Sequence, residues 1–134
     1  MKFIVEGEPK GKARARVTKF ATYTPDSTVL YENLVKLSFQ QSKPRDYIVS
    51  ENYISMTIIA YFKIPKATSK IKKKLMLENK LRPDKKPDID NIVKIICDAL
   101  NEIAYRDDKQ IIDLRIMKYY SENPKVEVML NEIM

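Results

Sequence analysis

Two aspartates, Asp88 and Asp90, follow Pro87 directly and are separated by one residue; Asn91 comes next, and Lys94 stands four residues beyond Asp90. Asp98 lies four residues further on, and a second acidic pair, Asp107 and Asp108, is followed closely by Gln110. Carboxylates gathered this tightly in a chain of net charge +7 repel one another unless something positive sits among them. Hard cations such as Mg²⁺ take oxygen ligands, commonly one or two carboxylates together with substrate phosphate oxygens. A basic chain with one acidic cluster therefore reads as an enzyme that brings metal to a polyanion.

Each residue also has a structural reading. An Asp at a helix start caps free N–H groups and suits the helix dipole, but one cap needs one Asp, not Asp-x-Asp-Asn. Lys94 is one helical turn from both Asp90 and Asp98. It is either the middle of a salt-bridge ladder or a cation beside the metal, where it meets the scissile phosphate or orients the attacking water. Asp98 has the weaker case and serves to hold Lys94. Paired acids in a turn are usually solvated. Here the turn is expected to fold back toward the helix it leaves, so that Asp108 joins Asp88 and Asp90 in one three-carboxylate site, with Asp107 as the alternative ligand and Gln110 bonding a metal-bound water. The chemistry is then metal-assisted phosphodiester hydrolysis: the metal lowers the pKa of its water and offsets charge in the transition state, and Lys94 adds a positive charge.

The remaining composition narrows the class. With 134 residues, 44% apolar and 32% charged, the chain reads as a single domain (1–134) of an ordinary soluble protein. A pI near 9.4 speaks for a polyanionic partner, nucleic acid before membrane. No apolar run approaches the length of a membrane span, and the N-terminus turns polar too soon for a signal peptide. With a lone Cys97, a cytoplasmic setting is expected. Histidine is absent, which removes Ser-His-Asp and Cys-His chemistry. Only Gly7 and Gly11 are glycine, so no phosphate-cradling loop for a nucleotide cofactor exists.

These residues need elements to position them. Residues 1–8 read as a first strand and 9–24 as a basic, aromatic strand or extended loop. A helix runs from Thr24-Pro25-Asp26-Ser27 to Lys43-Pro44, with Leu30, Leu34 and Leu37 at helical spacing. Residues 52–64 are a buried strand. Thr68-Ser69 caps a short helix inside a lysine-rich stretch, 66–86, which is either a solvated face or a phosphate-contacting arm. The clearest helix spans about 88–104, with Ile92, Ile95, Ile96, Ala99, Leu100 and Ile103 on one face. Residues 109–120 form a strand with Ile112, Leu114 and Ile116 on one face, and 125–133 a last strand. A short turn between these two suggests an antiparallel pair. The class is α+β, a mixed β-sheet packed with helices.

From Pro87-Asp88-Ile89-Asp90-Asn91-x-x-Lys94 through Asp98-Ala99-Leu100-Asn101, and again at Asp107-Asp108-x-Gln110-Ile111, the chain resembles the signature of the RusA Holliday-junction resolvases. The opening Gly7-x-Pro9-x-x-Lys12-x-Arg14-x-Arg16 and Tyr23-Thr24-Pro25 are similar to that family's start. The resemblance covers nearly the whole length. It implies a RusA-like fold and a Mg²⁺-dependent endonuclease, with Mn²⁺ as a substitute, acting as a homodimer on four-way DNA junctions. It assigns catalysis to Asp88, Asp90, Lys94 and Asp108, and metal binding to the three aspartates. Lys12, Arg14 and Arg16 alternate along an extended segment and can present one face to phosphates; Lys85 and Lys86 join them as DNA-contacting residues. Symmetry supports the dimer: resolving a near two-fold junction takes matching nicks in two strands, which one site cannot reach at once. Ile54, Met56, Tyr61 and Phe62 are candidate interface residues, unless their strand is buried within the chain. The competing reading is a non-catalytic basic nucleic-acid-binding protein whose acids are caps and salt bridges.

Overall fold

The computed structural model describes residues 1–13, 16–19, 21–23 and 25–133, with Arg16 and Tyr23 described through their backbone only. Four strands make the main sheet: β1 (Lys2–Glu6), β4 (Tyr53–Lys63), β5 (Ile111–Ser121) and β6 (Lys125–Ile133), in the order β1-β6-β4-β5. Two two-residue strands, β2 (Arg16–Val17) and β3 (Thr22–Tyr23), pair with each other outside it. The helices are α1 (Asp26–Ser42), α2 (Lys70–Leu77) and α3 (Ile89–Leu100). The fold is α+β. Among the described residues no helix is long and apolar enough to cross a membrane.

Period-two alternation sets the inner face of the sheet. Phe3 and Val5 of β1, Ile54, Met56, Ile58, Ala60 and Phe62 of β4, and Val126, Val128 and Leu130 of β6 are all buried. The expected β5–β6 pair does not form. β4 lies between them, antiparallel to β6 and parallel to β5. β4 is the strand with the fullest apolar alternation, and the central place satisfies both of its edges. A parallel β4–β5 pair requires a long crossover, and the segment carrying α2 and α3 supplies it. β5 is left at the edge, so Ile112 and Leu114, expected in the core, are exposed.

α3 buries Ile92, Ile95, Ile96, Ala99 and Leu100 completely. Each of the three isoleucines and Leu100 is worth about 2 kcal/mol relative to exposure, which makes this helix the keel of the fold. It ends at Leu100, four residues before its expected limit, because Asn101 turns extended (φ −57°, ψ 132°) and Glu102 takes φ +65°. The reversal tucks Ala104 and Tyr105 into the core, and the Tyr105 hydroxyl donates to the Cys97 carbonyl at 2.8 Å. α1 packs beside α3 and over β1. Its inward side chains are Tyr31, Val35 and Phe39, not the expected Leu30, Leu34 and Leu37, which face out. Both sets have helical spacing. The aromatic one wins because Phe39 sets edge-to-face contacts with Phe3 (5.6 Å) and Tyr47 (5.3 Å), geometry that adds to simple burial.

The candidate interface residues also need correcting. Ile54, Met56 and Phe62 belong to the chain's own core, since they sit on the helix-covered face of β4. Tyr61 lies on the other face, stacked on Tyr119.

Candidate active site

α3 begins where the carboxylates stand. Asp88 occupies the N-cap position with extended backbone (φ −70°, ψ 156°), yet its side chain makes no capping hydrogen bond. Asp90 is exposed in the first turn. Lys94, one turn on, makes no ion pair among the described residues. The structural readings of these three residues, a cap and a salt-bridge ladder, therefore do not describe what they do. Asp98, expected to hold Lys94, instead meets the Lys12 ammonium at 3.4 Å.

Beyond α3 the chain turns through a 3₁₀ segment, Asp108–Gln110, before β5. Asp107 is its cap: its carboxylate accepts from the Lys109 amide at 3.1 Å, while its own amide donates to Gln110 Oε1 at 3.0 Å. Gln110 Nε2 donates to the carbonyls of Ser50 (3.0 Å) and Asn52 (2.8 Å). Both residues hold the turn, and Gln110, with its oxygen and its amide nitrogen both engaged, does not fit the water-bonding role. Asp108 is left as the half-buried acid, and its amide donates to Asn101 Oδ1 at 2.9 Å. Asn101 was not singled out from sequence for this. The signal was a polar residue at the point where the apolar helix pattern breaks.

Asp90, Lys94 and Asp108 line one cavity of about 380 Å³, with Cys97 in its wall and Asp113 of β5 across from α3. The register of β4 and β5 shifts by one residue at Ile54/Ser55, leaving Ile112 without a partner. Such bulges re-aim side chains next to functional sites, and here Asp113 joins the lining. Asp113 is the second residue that the sequence reading missed. The site's electrostatics suit a cation. The hydrogen bond that its own carboxyl gives to the Asp107 carboxylate, then burial, then the charges of Asp107 and Asp98 push the Asp108 carboxyl above the ordinary range. Asp107 is held below it, chiefly by the Lys109 amide. Burial pushes the Cys97 thiol up to about 12, so it is an inert part of the wall.

Asp88 lines a different cavity, of about 570 Å³, with Asn91, Pro87, Lys10, Lys85 and Lys86. The structure thus brings Asp90, Lys94 and Asp108 together and sets Asp88 on the other flank of the same helix start. Among the described residues no three His, Cys, Asp or Glu side chains form a ready metal cage. A hard cation does not need one if substrate phosphate completes its shell, and the all-oxygen donors Asp90 and Asp108 fit that kind of site.

The segment that follows β1 crosses the head of α3 at Gly11 and Lys12. The Lys12 amide donates to the Asn91 carbonyl at 2.9 Å, and Gly11 is so close that an added Cβ would stand 2.8 Å from Pro87 Cβ and 2.9 Å from Asn91 Cβ. The Lys12 ammonium bridges Glu32 (3.0 Å) and Asp98 (3.4 Å). Burial lowers its pKa, but the hydrogen bond and charge of Glu32, joined by Asp98, more than offset this and leave it raised. An ammonium spent on two carboxylates ties the segment to α1 and α3 and is not a free phosphate contact. Arg14 and the side chain of Arg16 lie outside the described residues. Lys85 and Lys86 are exposed. Their segment is fixed to β5 by Lys118 Nζ, which donates to the Lys85 carbonyl at 2.6 Å, and by Arg82, which stacks 3.9 Å over Tyr119.

This arrangement, acids and a lysine without an ion pair among the described residues in the first turns of one helix of a basic chain, agrees with the comparison to known families. The model of the family described as endodeoxyribonuclease RusA matches residues 6–131. The chain belongs to the RusA family. An uncharacterized Bacillus subtilis (strain 168) protein, YqaN, is 40% identical over 139 residues, which cover 99% of this chain and 96% of that protein. RusA membership makes the chain a DNA endonuclease by family, one whose class acts on branched junctions. The matched span runs from the end of β1 through every residue of the two cavities to most of β6.

Proposed function

We propose that the protein is a Mg²⁺-dependent nuclease that resolves four-way DNA junctions by paired, symmetric nicks, working as a homodimer in cytoplasmic recombination and repair. The observation that carries this reading is the shared cavity of Asp90, Lys94 and Asp108, in which neither Asp90 nor Lys94 makes an ion pair among the described residues. Asp90 and Asp108 would hold the cation, with Asp88 reaching it from the other flank or serving a second ion. Bound there, the cation supplies an acidified water and charge neutralisation; Mn²⁺ serves as a substitute.

The chain's own residues do the rest. Asn101 fixes the backbone of Asp108, and Asp107 keeps the turn closed. Lys94 pairs with a non-bridging oxygen of the scissile phosphate, where charge grows as water attacks. Water attacks the phosphorus and the P–O3′ bond breaks, leaving a 5′-phosphate on one end and a 3′-hydroxyl on the other. Lys10, Lys85 and Lys86 seat the adjoining phosphates along the neighbouring cavity. Such contacts position DNA without reading its sequence.

The test uses a synthetic four-way junction and a linear duplex of the same sequence, each with Mg²⁺ or with chelator. Cutting of the junction alone, only with Mg²⁺, and lost in Asp90→Asn while binding is kept, is the expected result. Junction binding with no cutting under any divalent ion would instead mark a non-catalytic binding protein.

A further inference from the structure

α1 carries two apolar faces, and the fold uses one. Tyr31, Val35 and Phe39 are buried. On the opposite side Val29 is 42% exposed, Leu30 69%, Leu34 38% and Leu37 53%. Leu30, Leu34, Leu37 and the exposed Gln41 follow a four-three-four spacing, the seam by which one helix packs along another. The other exposed residues between them, Asn33 and Gln40, are uncharged. The charged residues of this stretch, Glu32 and Lys36, stand on the half-buried flank, and Glu32 is taken by Lys12. In a chain with 32% charged residues, a solvated helix face of this length without a charge is unexpected. Charge depletion around an apolar centre is the mark of an interface core.

Charge at the ends of the helix says what covers it. Asp26 stands in the first turn, and Lys43 and Arg45 lie just past the last. Among the described residues none of the three makes an ion pair within the chain. A second α1 laid antiparallel on the first brings each Asp26 to the other's Lys43 and Arg45, and opposes the helix dipoles. A parallel copy would set like charges together. A stable pair typically covers about 800 Å² per partner, roughly a tenth of the chain's 8864 Å² of accessible surface. The outer face of the sheet is the rival surface, but it carries Lys2, Arg115, Lys125 and Glu127, two of whose lysines already pair with Glu127.

We propose that two copies of the chain associate about a two-fold axis through α1, antiparallel, with Leu30, Leu34 and Leu37 of each forming the seam. This deepens the homodimer of the proposed function and rests on it for the fact of self-association. The experiment measures solution mass by light scattering and dissociation by dilution. The wild type should show twice the chain mass at micromolar concentration. Leu34→Glu/Leu37→Glu should be monomeric there with an unchanged far-ultraviolet spectrum. Asp26→Lys should weaken the dimer by about three- to tenfold, as expected of exposed ion pairs, and adding Lys43→Glu/Arg45→Glu should restore it.

A monomeric wild type, or a leucine double variant that stays dimeric, overturns the interface. Failure of the charge swap to restore affinity overturns the antiparallel arrangement. Mg²⁺-dependent junction cutting is read in the same samples. A wild type that pairs through α1 but never cuts sinks the nuclease and leaves the interface; one that cuts as a monomer does the reverse.

Discussion

Gly11→Ala is the substitution that the structure predicts most sharply. The residue lies in an open segment, and its backbone needs no left-handed conformation. What it lacks is room. The new Cβ would stand 2.8 Å from Pro87 Cβ and 2.9 Å from Asn91 Cβ, where carbon–carbon contacts settle at about 3.5–4.0 Å. Neither neighbour is the end of a flexible side chain, so the segment or the head of α3 must move by about 0.7 Å or more to reach that range. The segment is held by the Lys12 amide on Asn91 and by the Lys12 ammonium on Glu32 and Asp98, so movement strains both. Overpacking of this kind costs about 1–3 kcal/mol. At this length each kcal/mol lowers Tm by about 3–5 °C. Because Asp88 and Asp90 flank the displaced residues, a shift near 1 Å should also cut the rate of junction cleavage by about 10²-fold. Thermal melting and single-turnover cleavage at saturating enzyme measure the two effects. A variant with wild-type Tm and wild-type rate would show that the close approach of Gly11 to α3 is not a constraint on either.

Asn101→Ala removes the acceptor for the Asp108 amide. It should cost about 0.5–1.5 kcal/mol of stability and at least tenfold in cleavage rate, with Asn101→Asp recovering part of both, as denaturant titration and kinetics would show. The Cys97 thiol, pushed from 9.0 up to about 12, should not react with a disulfide reagent at pH 8 in the native state and should react fully after unfolding. The same shift means that the native form holds a proton that the unfolded chain loses above pH 9. This contribution to stability is therefore complete below about 9 and is lost as pH rises toward 12; a Cys97→Ala variant that declines just as steeply over this window would refute it. Junction affinity should fall steeply with salt, log K against log salt having a slope of about −0.9 per phosphate neutralised, and Lys85→Ala/Lys86→Ala should flatten that slope. A slope unchanged by the double variant would place the phosphate contacts elsewhere.

Local geometry explains what was legible in the residues alone. The 3.6 period of Ile92, Ile95, Ile96, Ala99 and Leu100 is a property of one helix, and the period-two pattern of Val126, Val128 and Leu130 is a property of one strand. Both elements are present with the expected inner faces. The spacing Asp88-x-Asp90-x-x-x-Lys94 likewise needs only a helix to place the last two on one side, and they do share a cavity.

Long-range packing decided the rest. α1 offers two stripes with the same period, and no local rule chooses between Leu30, Leu34, Leu37 and Tyr31, Val35, Phe39. The choice falls to Phe3 and Tyr47, distant residues whose rings receive Phe39. The short turn after β5 suggested a hairpin, but β4 enters between β5 and β6, because a strand from the middle of the chain competed better for the central position. Lys12 is a basic residue like its neighbours in the sequence, and only the meeting of α1 with α3 supplies the two carboxylates that hold it. Asp107 and Asp108 are adjacent acids with opposite fates, one capping a turn and the other facing the cavity. Sequence fixes which residue types recur at which interval, since that follows from the backbone's own periods. Which face meets which partner depends on contacts between residues far apart in the chain, and those exist only after the elements have packed.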